Sequence, residues 1–147
     1  QPPGLAGLSF KRWSRPVIIM HEGPDSLEAG ITLHNAGAYF EAHEELENLW
    51  KPASATDRAF FHGLILISGG CYHFRERNWV GARALLRRGI EEFRDVPTDT
   101  YRGVAVGKLI TDVEQVLSGI DEIEESRRSF TERLLPQIEY RPERSAP

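Results

Sequence analysis

Apolar positions recur along this chain at helical rather than alternating spacing, and turn-forming residues cut them into segments. Asp25 or Ser26 can cap a helix, Glu28 sits in its first turn, and Leu27, Ile31 and Leu33 follow. This predicts a first helix over about Ser26 to Asn35. Asn35-Ala36-Gly37 then reads as a joint, because Asn and Gly tolerate the left-handed conformation that ends helices, unless it is absorbed into one longer helix. Tyr39, Phe40, His43, Leu46, Glu47 and Trp50 predict a second helix over Ala38 to Trp50, which Pro52 stops. Ser54, Thr56 and Asp57 are cap candidates for a third, whose run from Phe60 to Ile67 is apolar almost all round. A helix of that kind belongs at the centre. Asn78 caps a fourth, Trp79 to about Phe93, with Ala82, Leu85, Leu86, Ile90 and Phe93 as its stripe. Beyond Pro97, Val104 to about Ile120 predicts a fifth, with Val106, Leu109, Ile110, Val113, Val116 and Leu117 inward. A sixth segment, Glu122 to Leu135, is Glu/Arg-rich and weaker.

No segment alternates with β-branched enrichment, and short connections favour antiparallel neighbours. The expectation is an all-α fold: one compact bundle of five to six helices over residues 25–135. Residues 1–24, broken by Pro2, Pro3, Pro16 and Pro24, predict an extended N-terminal arm. Residues 136–147, with three prolines, predict a C-terminal tail that is mobile or draped over the surface.

Composition narrows the function classes. The 147 residues suit one domain large enough to hold a core without disulfides or a structural metal, so any metal here would serve function. A net charge of −4 argues against a nucleic-acid partner. The single Cys71 cannot form an internal disulfide, which points to a reducing compartment. The longest apolar run near the N-terminus, Val17 to Met20, is too short for a secretory signal, although a chain that starts at Gln1 leaves a removed leader open. A cytoplasmic protein with no membrane association is expected.

The polar residues of the second helix are the candidate chemistry. With His43 as origin, Glu47 falls about 40° away, Glu44 about 100°, Phe40 about 60°, Tyr39 about −40° and Trp50 about −20°. A histidine and two carboxylates thus share a half-cylinder with three aromatics, and a charge on that buried side needs a partner. In the third helix His62 and His73 are separated by about 20° of rotation and about 16 Å of rise, so a straight helix cannot bring both to one ion. Two readings follow. One is a site for a divalent transition metal built from His43, Glu47 or Glu44, and one of His62 or His73. The other is a buried network that fixes helix packing. The zinc-protease motif is absent, since His43-Glu44-Glu45-Leu46-Glu47 lacks its second histidine. Gly63, Gly69 and Gly70 in an apolar helix predict close approach of another helix, with room for a ligand as the alternative. Arg83, Arg87 and Arg94 align as an anion site or, with Glu91, as a salt-bridged surface, and the latter is expected.

The run from Asn35 to Trp50, His62-Gly-Leu-Ile, Tyr72-His73 and Arg77 to Ala82 resemble the small prokaryotic family catalogued as domain of unknown function 309. The resemblance covers roughly Thr32 to Phe93. It implies an all-helical bacterial or archaeal protein of unestablished role, some of whose members are labelled predicted metal-dependent hydrolases. It places the family's polar signature on Glu41, His43, Glu44 and Glu47, with His73 near the end of the third helix. Many members carry Gln where this chain has His62, which suits a hydrogen-bonding role that Gln can share. Two functions are therefore carried forward. The first is a noncatalytic module that binds a protein partner or a second copy. The alternative is a hydrolase of a small substrate, with His43, Glu47 and His73 as metal ligands, Glu44 as general base, and Tyr39, Glu41 and His62 around them.

Overall fold

The structure is a computed structural model that describes residues 25–142, so the arm expected over residues 1–24 lies outside the described residues. Among the described residues five α-helices form: α1 Asp25–Asn35, α2 Tyr39–Trp50, α3 Ala55–Arg75, α4 Trp79–Phe93 and α5 Val106–Glu124. α3 is the central element, with α2 and α4 packed along it, α1 on α2 and α5 on α4. Its residues from Gly63 to Phe74 are all buried, as an all-round apolar helix requires. The expected close approach is to α4. A Cβ on Gly63 would collide with the Phe93 ring, and one on Gly70 would lie 2.6 Å from Leu86 Cγ.

Three helices end in the same way. At α1, Ala38 N–H donates to Leu33 O (2.8 Å) and Gly37 N–H to His34 O (2.9 Å), with Gly37 at φ +84°. This pair of bonds around one left-handed residue is the Schellman motif, and it confirms the Asn35–Gly37 joint. α3 repeats it with Asn78 N to His73 O and Arg77 N to Phe74 O, both 2.9 Å, around Arg77 at φ +60°. α5 repeats it around Ser126 at φ +62°, with Arg127 N to Glu122 O (2.8 Å). That last motif corrects the sixth helix: the segment from Glu122 to Leu135 gives the end of α5 and then only a 3-10 turn, Glu132–Leu134. Phe130 stacks on Phe74 (5.4 Å) and Arg127 pairs with Glu125, contacts that draw the chain away from helical geometry.

Two short strands, β1 Thr100–Tyr101 and β2 Val104–Ala105, pair antiparallel around Arg102 (φ +48°) and Gly103 (φ +84°). Positive φ at both central residues is the type I′ turn that matches strand twist. The turn is stapled to the first turn of α3: the Tyr101 hydroxyl donates to Asp57 Oδ1 (2.6 Å) and the Arg102 guanidinium to both Asp57 oxygens (3.0 and 2.7 Å). Where the prolines predict a mobile or draped tail, its residues 136–140 are laid along α1 and the hairpin, with Pro136 buried and Ile138 2% exposed.

Cys71 is fully buried in α3, and burial pushes its thiol above the ordinary cysteine range. The native protein should therefore leave a thiol-reactive disulfide reagent unconsumed and react only after denaturation. Rapid native reaction would show that α3 opens to solvent.

Candidate functional site

α2 carries the expected constellation on adjacent turns. His43 Nε2 lies 3.6 Å from Glu47 Oε2, an ion-pair separation too long for a direct hydrogen bond. The His43 ring is stacked on Phe40 at 6.4 Å. Burial holds its pKa below the usual imidazole value, and the Glu47 carboxylate acts in the opposite sense. Glu41 and Glu44 are half-buried on the same helix.

The other expected residues go to different junctions. Tyr39 meets the His34 ring edge-on (5.0 Å) and carries the Arg75 guanidinium 4.8 Å above its own ring. Arg75 also donates to Gly37 O (2.6 Å), so this group locks the α1–α2 joint to the end of α3. His62 stacks on Trp50 (4.9 Å, 12°), and its Nδ1 is 3.5 Å from Glu92 Oε2 of α4. Arg58, one turn earlier, sits 4.6 Å over Trp50 and donates to the Trp50 and Lys51 carbonyls, which closes the last turn of α2.

His73 is 2% exposed at the end of α3. Asn78 Oδ1 accepts from Gly81 N–H (3.0 Å), which turns the Asn78 amide so that Nδ2 donates to His73 Nδ1 (3.0 Å). The ring proton therefore resides on Nε2, which is buried with no hydrogen-bond partner among the described residues. Burial lowers the His73 pKa as well. The structure thus brings His43 and Glu47 together, and places His62 and His73 at separate junctions. Among the described residues, no three His, Cys, Asp or Glu side chains converge so that they could hold a metal ion. Arg83 bridges α4 to α5 through Asp121 (2.7 Å) and Glu124 (2.6 Å), in keeping with a salt-bridged face.

The most buried polar cluster was not among the candidates. His34 has no exposed surface; its Nδ1 is 2.9 Å from Ser68 Oγ and its Nε2 3.0 Å from Pro136 O. A carbonyl only accepts, so Nε2 carries the proton and Nδ1 accepts from the Ser68 hydroxyl. Burial pushes the His34 pKa down to about 4, against a smaller opposite pull from the Pro136 carbonyl. The signal was present: Leu27, Ile31 and His34 lie on one stripe of α1 at i, i+4 and i+7.

Comparison with known proteins names a family and adds no activity. Residues 27–85 match the family described as Domain of unknown function (DUF309). The chain is similar to the "Uncharacterized protein YpuF" of Bacillus subtilis, with 30% identity over an alignment of 98 residues that covers 63% of this chain. It spans about half of that relative, 55% of its length.

Proposed function

We propose that this chain, whose residues 27–85 carry the DUF309 domain, works as a noncatalytic helical binding module. One observation carries the reading: His34, His62 and His73 each serve a different helix junction, so the imidazoles are spent on packing rather than gathered around a reacting atom. The net charge of −4 and the buried, lone Cys71 support protein partners, not nucleic acid, and a cytoplasmic setting. Among the described residues no helix is long and apolar enough to cross a membrane.

The test is metal content and melting of the parent, His43→Gln and His43→Leu. The module reading expects no stoichiometric metal in protein purified without a metal-affinity tag. It also expects Gln to be tolerated better than Leu, since Leu strips a half-buried carboxylate of its polar neighbour at about 1–3 kcal/mol. A stoichiometric transition metal that both substitutions remove alike would overturn it in favour of the hydrolase.

A further inference from the structure

The tail is bound as a peptide is bound. From Pro136 to Tyr140 it is extended, with Pro136 buried, Gln137 exposed, Ile138 buried, Glu139 exposed and Tyr140 half-buried. Its backbone does most of the bonding. Asn35 uses its side-chain amide as one rung of a strand, donating to Ile138 O (2.9 Å) and accepting from Ile138 N–H (2.7 Å). His34 Nε2 donates to Pro136 O (3.0 Å), Ala105 N–H to Glu139 O (3.0 Å), and Arg141 N–H to Gly103 O (2.7 Å). The tail backbone also rests where a Cβ on Gly103 would be, against the Arg141 carbonyl. Main-chain bonds with apolar anchors at every second residue are the recognition mode of strand addition.

We propose that the groove between the C-terminal end of α1 and the hairpin is a docking site for an extended segment of the form Pro-x-Ile-x-Tyr, filled in cis by residues 136–140, and that the same segment of a second copy is its occupant in trans. The occupant follows from the fit: each copy supplies a segment whose complementarity to this groove is on view. The hinge for exchange is residues 125–129, which are all exposed; Phe130, Leu134 and Leu135, which pack on the core between the hinge and the tail, exchange with it and make the same contacts in the second copy. A tethered segment competes at an effective concentration in the millimolar range, so the cis form prevails until the protein is concentrated or the cis tail is weakened. This rests on reading the domain as a binding module, but it is tested without reference to metal. Failure of the docking experiment would leave the metal result standing, and the reverse holds too.

The experiment is complementation between two full-length variants. Ile138→Asp spoils the tail and leaves the groove; Asn35→Ala spoils the groove and leaves the tail. Each alone should run as a monomer by light scattering after size exclusion, with circular dichroism confirming that it is folded. Mixed 1:1 at about 1 mM, near the effective concentration of a short tether, they should form a heterodimer through the one competent tail and the one competent groove. Adding Gly103→Ala to the Ile138→Asp chain should abolish it, because the new Cβ occupies the path of the tail. If Ile138→Asp does not fold, Ile138→Ser takes its place. A mixture that stays monomeric, or a dimer that either variant forms alone, overturns the proposal.

Discussion

Between neutral pH and pH 4 the protein should lose about 3 kcal/mol of unfolding free energy through His34 alone. The unfolded imidazole takes up its proton near 6.5, whereas the folded one resists until about 4. Over that window the unfolded chain holds the extra proton, so stability falls as pH falls; above it both states are neutral and the contribution is constant. At ~1.36 kcal/mol per pKa unit, the gap gives about 3 kcal/mol. His43 and His73 are shifted in the same direction by burial and steepen the loss. His34→Leu should cost about 3 kcal/mol at neutral pH, because Ser68 Oγ and Pro136 O are left buried and unpaired. It should also flatten the acid limb. Urea unfolding of parent and variant across this range decides it, and identical slopes would show that His34 does not titrate as a buried neutral group.

Gly63→Ala should be the most damaging glycine-to-alanine change within the five helices. Alanine favours a helix over glycine by about 1 kcal/mol, yet the new Cβ would be 2.6 Å from Phe93 Cδ1 and 3.0 Å from Cζ. Phe93 is 2% exposed and its ring cannot swing away. Overpacking of this kind costs about 1–3 kcal/mol and outweighs the propensity gain. Phe93→Leu removes the colliding ring atoms, so the double variant should recover at least about 1 kcal/mol relative to the sum of the two single changes. Additive losses would mean that α4 is not seated on Gly63.

The helices were legible because their signals are local. Pro52, Asn78 and the Asn35–Gly37 joint stop or start the chain by backbone chemistry that neighbours cannot override, and α1, α2 and α4 fall within a residue of expectation. The glycines of α3 announced a close neighbour without naming α4. The site was less legible, because helical angles say which residues share a face and not what stands opposite. His62 and His73 do lie along α3, but Trp50 and Asn78, brought in by other elements, determine what each does. The prolines mark the tail, whereas its position depends on Asn35, a residue about a hundred positions away whose local signal is only that of a joint. The hairpin strands, two residues each, are too short to show a period.

That distance gives the tail a place in time. α1 packs on α2, α2 on α3 and α3 on α4, so each of these pairings forms between neighbours as the chain is synthesised, with short loops to close. The bonds from His34 and Asn35 to Pro136 and Ile138 span 102 and 103 residues and must wait for the last part of the fold. Until then the ring nitrogen of His34 and the amide of Asn35 face water. The contacts between neighbouring helices therefore need no part of the tail, and the groove is closed by the pairing with the longest loop of the fold.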